Sequence, residues 1–449
     1  MHSEEEADLI ESNVLSNLNS SRDQVNFPSL SAYSKKKLLW NGWQKIGWTT
    51  ALFLGCLLVY CVRTSMSICI SALSDELHWD KKTEGFVLTS YFAGYLLTNI
   101  IGGYLADFKG GERVIFYSTF VWSFFTILIP ALVNSVVKFG FKTVIVCRFI
   151  IGLSQGMFFP SLSAILAKSV SAEDRSFIFS CTFSGSSIGT VITGLFGTIL
   201  LEQVHWSSVF YFFGVVSILW ALLLKCLHWS KKKISLDTDN IRGIKKIVPL
   251  RVLLLSKSVL AMLFAYFSMS VSFYVFLSWS PTYFHETYPK GKAWLFNVLP
   301  YLASFLLSLG SGKVANMLIG CGFSITFVRK LFGSLLFLGM CFFSLLLAAT
   351  HSFETTLFVM TLNIGMNAFA ASSVAINPQD LSPEQAGMLY GVANTCGALG
   401  GFFGVLISGI ILSNSGEWFK VFIMTSVISF LGFLVFIMYG SGKKVKPQF

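Results

Sequence analysis

The sequence predicts an all-α membrane protein with twelve transmembrane helices in two pseudo-symmetric halves of six. Three observations carry this expectation. Hydrophobic residues make up 54% of the 449 and charged residues only 12%, against about 25% charged in soluble domains. Twelve apolar cores follow one another, near 46–73, 86–106, 114–134, 143–167, 176–200, 207–224, 258–280, 293–312, 331–349, 355–376, 386–412 and 421–440. Most reach the length of about 20 residues that a helix needs to cross the hydrocarbon. The longest internal hydrophilic stretch, 225–257, contains Lys231–Lys233 and Lys245–Lys246 and divides the cores six and six.

Residues 1–45 are rich in Ser, Asn and charge and are expected to form a disordered cytosolic tail. Within it, Glu5, Leu9 and Ile10 fall in a pattern that resembles the acidic dileucine signal read by clathrin adaptors, although six-residue patterns of this kind also arise by chance. The sequon Asn19-Ser20-Ser21 is expected to stay unused on that side. A first six-helix bundle follows at 46–228, then a cytosolic linker at 229–251, a second bundle at 252–440 and a short cytosolic tail at 441–449. No cleavable leader is expected, because residues 1–45 are polar, and the first span then serves as the insertion signal.

The net charge of +11 follows this topology rather than a nucleic-acid partner. With a cytosolic N-terminus, 24 of the 33 Lys and Arg fall on the cytosolic side and seven on the other. That is the positive-inside bias, with both termini cytosolic. The nine cysteines lie in or near spans or on the cytosolic side, so no disulfide framework is indicated. The six histidines all lie in tails, loops or span ends, none suited to a metal site, and no P-loop occurs. No nucleophile–base pair stands out, so an enzyme is not expected, nor is a cofactor.

The two remaining cations, Arg63 and Arg148, lie inside apolar runs that contain no Asp or Glu. A charge near the bilayer centre costs at least roughly 2.5–3.5 kcal/mol on insertion scales. Two of one sign and none of the other point to an anionic ligand. Tyr60, Arg63, Thr64, Ser67 and Ser71 form one polar stripe on the first span, and Arg148, Gly152, Gln155 and Phe159 share a face of the fourth. A structural alternative stays open for each arginine: snorkelling, or bonding to backbone carbonyls of neighbouring helices. Asn297 and Asn394 are the further polar candidates for the cavity, whereas the glycines of spans 5 and 11 are expected to serve packing.

The loop after the second span, Gly103-Tyr104-Leu105-Ala106-Asp107-Phe108-Lys109-Gly110-Gly111-Glu112-Arg113, resembles the loop signature of the major facilitator superfamily and is echoed at Gly312–Asn316 and Arg329–Lys330. The resemblance implies that Gly103, Asp107, Gly110 and Arg113 form a conformational latch. Longer stretches are more specific: Leu57–Met66, Trp79–Gly85, Trp206–Phe212, Leu277–Phe284, Phe296–Pro300, Gln379–Leu381 and Gly391–Thr395. Together they resemble the anion-transporting solute-carrier family that holds sialin, the vesicular glutamate transporters and the sodium–phosphate cotransporters, and most closely its nucleotide-carrying branch. The resemblance implies a monomeric alternating-access carrier in the bilayer of a secretory vesicle or lysosome, moving anions such as ATP and ADP, with chloride as activator. Gln155 stands where family members carry an acidic residue, Leu88 where some carry a histidine, and Met269 near a third arginine. The first two losses remove proton carriers, leaving membrane potential as the drive. A proton- or sodium-coupled symporter of phosphate or sialic-acid-like anions, and a non-transporting sensor or scaffold, are the alternatives.

Overall fold

Apolar side chains that the sequence crowds into runs of twenty or more can satisfy their backbone only as helices once water is excluded. The computed structural model describes residues 39–79, 81–135, 140–234, 250–288 and 293–445, and among these the regular elements are all helical. In chain order they are α1 (Gly42–Leu77), α2 (Lys81–Lys109), α3 (Gly111–Ser135), α4 (Gly140–Gln155, resumed as Phe158–Ser169) and α5 (Arg175–Ile192, continued through Thr193–Gly197 to Thr198–Gln203). Then come α6 (Trp206–Ile234), α7 (Lys257–Thr287), α8 (Ala293–Gly320), α9 (Ile325–Leu347), α10 (Phe353–Met366, tightening into Asn367–Ser372), α11 (Ala386–Ser415) and α12 (Trp418–Tyr439). Each expected apolar core falls on one of the twelve. Among the described residues, eleven segments are long and apolar enough to cross a membrane; α2, rich in polar and glycine positions, is not among them.

Two irregularities sit at the depth of the arginines. In α5 a π-helical turn, Thr193–Gly197, faces α1: Thr193 Oγ1 donates to Gly189 O at 2.9 Å, and Cys61 Sγ lies 3.4 Å from the same carbonyl. The α-helix of α10 ends at Met366 and continues as a 3₁₀ helix, Asn367–Ser372. Such departures within spans are tolerated where protein or a cavity receives the loosened backbone.

Helices α2 and α4 meet backbone to backbone. A Cβ on Gly152 would lie 2.1 Å from Tyr91 O, and one on Gly94 2.1 Å from Phe149 O, so only glycine allows the approach that sets Tyr91 beside Arg148. Across the two halves α2 packs on α11 and α5 on α8. The internal echo has a structural counterpart: Gly110 after α2 and Gly322 after α8 both turn the chain through positive φ, 94° and 92°.

The end of the bundle that holds Trp40 and Val445 is knitted by polar contacts. Trp40 N donates to Ser169 O, and Val445 N to Leu381 O, each at 2.9 Å. At the opposite end Glu76 accepts from Trp206 Nε1 and faces His205, while Glu286 accepts from Trp418 Nε1, each within its own half.

Candidate functional site: a central cavity and its closed end

A cavity lies between the halves at mid-depth. Its wall on the first half includes Tyr60, Arg63, Tyr95 and the α5 serines Ser184, Ser186 and Ser187. The second half contributes an aromatic side, Tyr266, Phe273, Tyr274, Tyr301 and Tyr390, with Asn367 and Asn394. Among the described residues the only charged side chain on the wall is Arg63.

Arg63 is half-buried and held by rings instead of a carboxylate. Its guanidinium carbon lies 4.7 Å from the Tyr60 ring centre, 4.9 Å from Tyr95 and 5.1 Å from Tyr91. Cation–π contacts of this kind contribute about 0.5–2 kcal/mol each, the larger values when desolvated. They leave part of the hydrogen-bonding capacity unspent: Nε and Nη2 are buried without a partner. A cation held by ring faces with its donors free is poised to accept oxygen acceptors.

Arg148 takes the other position beside Tyr91, 5.0 Å from its centre, so the two guanidinium carbons are at most about 10 Å apart. It is only 3% exposed, and its Nε is also without a partner. Such depth argues against snorkelling. Beside it, Gln155 is fully buried, accepts from Tyr91 Oη through Oε1 at 2.8 Å, and keeps Nε2 unpartnered. Tyr91 therefore stands between the cavity-wall arginine and a second, recessed cation.

The remaining expected residues distribute as follows. Tyr60 is on the wall, and Ser67 is exposed one turn from Arg63 but does not line the cavity. Asn394 bridges the halves, donating from Nδ2 to Tyr95 Oη at 2.8 Å and to Asn99 Oδ1 at 2.7 Å. Asn297 lies on α8, and its side chain is outside the described ones, as are those of Ser71 and Leu88. Glu5, Leu9 and Ile10 lie outside the described residues.

At the terminal end, Asp107 accepts from Gly387 N at 3.2 Å and Met388 N at 2.8 Å, capping the first turn of α11 from across the halves. A carboxylate suits the positive end of a helix. Its basic neighbour is Lys168, 3.8 Å away, which also donates to Asp107 O at 2.9 Å. Arg113, also expected in the latch, is exposed near the start of α3. Gly103 allows the closure: a Cβ there would be 2.1 Å from Gly387 O.

A second buried cluster lies beside this cap. Arg329 is fully buried and forks onto Asp380, Nε to Oδ2 at 2.7 Å and Nη2 to Oδ1 at 3.4 Å. Its Nη1 crosses the halves to Ser176 Oγ at 2.8 Å. Arg175 approaches the same carboxylate from the first half at 3.9 Å and donates to Ala167, Val170 and Gln379 carbonyls.

Sequence reasoning missed the pairing within this cluster, the Tyr91 and Tyr95 rings beside Arg63, and Asn367. The Tyr91, Tyr95, Asn99 spacing on α2 was available as a polar stripe. Arg329 and Asp380 each fall in a stretch that the sequence marks, but they are 51 residues apart and nothing local shows that they pair.

Two six-helix halves around a mid-depth cavity, sealed at one end, define a multi-pass membrane carrier. The Major Facilitator Superfamily model matches residues 52–405. Over 424 residues the chain is 38% identical to the Voltage-gated purine nucleotide uniporter SLC17A9 of Rattus norvegicus, covering 93% of this chain and 94% of that one. The Homo sapiens protein of the same name is 38% identical over 404 residues, 89% and 92% of the two chains. Sialin of Ovis aries is 29% identical over 82% of this chain and 77% of its own. Among solved structures, the proton:xylose symporter XylE bound to 6-bromo-6-deoxy-D-glucose shares the fold with a TM-score of 0.71 at 16% identity, covering 90% of this chain and 98% of that one. The chain belongs to the major facilitator superfamily and, within it, to the transporter family that holds the SLC17A9 uniporters and sialin.

Proposed function

We propose that this protein is a potential-driven carrier of anionic nucleotides such as ATP and ADP, moving them by alternating access from the cytosol into a secretory vesicle or lysosome. The observation that carries the reading is Arg63, a cation on the cavity wall with free donors, ring neighbours and no carboxylate beside it. The relatives named as purine nucleotide uniporters make nucleotides the first anions to test.

In this reading Arg63 forks onto phosphate oxygens, for which a guanidinium is suited. Arg148 adds a second positive charge from behind Tyr91. Tyr60, Ser67, Gln155, Asn297 and Asn394 supply hydroxyl and amide donors as the helices move. The Asp107 cap and the Arg175–Asp380–Arg329 cluster form the cytosolic gate, closed here, and opening it requires parting Asp107 from the first turn of α11. With both termini cytosolic, the state described faces the compartment interior. An inside-positive potential supplies roughly 2.3 kcal/mol per charge per 100 mV, so about 9 kcal/mol for a tetra-anion. No proton carrier is then required, and chloride acts as an activator.

Purified protein in liposomes tests this. ATP uptake should follow an imposed inside-positive potential with equal pH on both sides. Uptake that needs a pH or sodium gradient instead, or that is displaced by phosphate or sialic acid and not by nucleotides, would favour a coupled anion symporter.

A further inference from the structure

The two sides of the cavity differ in chemistry. The first half brings the cation; the second brings rings and one uncommitted amide. Phe273, Tyr274 and Tyr301 are half-buried and line the cavity, so their rings are accessible from it, while Tyr266 and Tyr390 back them as a buried T-shaped pair with centres 6.0 Å apart. Tyr266 is fixed there by donating to Ala375 O at 3.1 Å.

The two wall asparagines are not equivalent. Asn394 spends its amide nitrogen on Tyr95 and Asn99. Asn367 makes no side-chain hydrogen bond, and its Oδ1 is buried without a partner. It stands at the first residue of the 3₁₀ turn of α10, where the change of helix type presents it at the wall. A buried acceptor left unpaired is costly, and a ligand donor placed on it recovers that cost.

From this juxtaposition we infer that the second half carries a heterocycle subsite: a planar base stacks on Tyr301 and its neighbouring rings, while the Asn367 amide reads the donor–acceptor edge of the base. An amide pairs with adenine by accepting from the exocyclic amine and donating to a ring nitrogen. Aromatic faces accept any base, so affinity comes from the rings and discrimination from the amide. The inference rests on the nucleotide reading and deepens it by dividing the site: phosphates on the first half, base on the second.

Equilibrium binding on the purified full-length protein separates the two parts, with ATP and inorganic tripolyphosphate as probes. Wild type should bind ATP more tightly than tripolyphosphate. Asn367→Ala should raise the ATP Kd about tenfold and leave tripolyphosphate within about twofold of wild type. Tyr301→Leu should act the same way, with Tyr301→Phe restoring ATP affinity. If both probes weaken together, if neither changes, or if wild type binds the two equally, the subsite is refuted while nucleotide transport stands. If wild type binds neither, the nucleotide reading itself fails and the subsite falls with it.

Discussion

Two pairs of arginines lie within this bundle, and they are neutralised in opposite ways. Arg175 and Arg329 share Asp380 and donate to backbone carbonyls and Ser176, with Arg175 Nε left without a partner. Arg63 and Arg148 share only the Tyr91 ring and keep donors unpaired. A buried cation with its carboxylate beside it is a structural fastener. One without such a carboxylate keeps the affinity that a mobile anion can use. The difference separates a gate from a binding site within one fold.

The comparison breaks most readily at its unpaired end. Arg63→Ala should lower ATP uptake by about 100-fold or more, the loss of two charge-assisted hydrogen bonds. Arg63→Lys should recover little of it, because an ammonium lacks the planar fork. The protein should still reach the membrane in normal amount, as surface labelling would record. Normal uptake by Arg63→Ala would make that arginine structural.

The paired end should respond in stability. Asp380→Asn strands Arg329 and Arg175 without a counter-charge, a loss of about 3–5 kcal/mol where a buried pair is broken. Thermal unfolding in detergent should show a lowered midpoint, partly restored by the double change Asp380→Leu with Arg329→Met. An unchanged midpoint would contradict the fastener role.

Smaller effects would sharpen the boundary between the two. Asp107→Asn keeps an acceptor but removes the charge at the α11 N-terminus, worth about 0.3–1 kcal/mol at an exposed site and up to about 2 when partly buried. Cysteine cross-linking across the terminal end should show the closed state less populated. Gly103→Ala should have the same sign, since its Cβ cannot coexist with Gly387 O at 2.1 Å. Tyr91→Phe removes the bond to Gln155 yet keeps the ring over both guanidinium groups. Uptake should fall only a few-fold, about 1 kcal/mol, and Tyr91→Leu should fall further.

The division of labour was only partly legible in the sequence. Long apolar runs announce their own helices, because hydropathy needs no tertiary context. Arg63 was conspicuous for a similar reason: its cost depends on the solvent around it, which the neighbouring residues already reveal. The partners of each charge are another matter. Asp380 meets Arg329 only after α10 has returned the chain along α9, and Asp107 meets α11 from 280 residues away. The loop pattern pointed to Arg113 as a latch residue but gave no sign of Lys168, which lies 3.8 Å from Asp107. Snorkelling stayed open for Arg148, but the close approach of α2 and α4 at Gly94 and Gly152 buries it beside Tyr91. Asn367 stayed hidden because its exposure to the cavity depends on a change of helix type that composition does not mark.

The central claim is that a cation unpaired by any carboxylate binds an anion whose own charge is what the carrier moves. The most direct measurement is the current evoked by adding ATP to liposomes containing the protein on a solid-supported membrane, with equal pH on both faces and no sodium. Wild type should carry net negative charge in the direction of ATP, and Arg63→Ala should give none. A silent, electroneutral uptake, or a current that vanishes when the pH gradient is collapsed, would contradict the account.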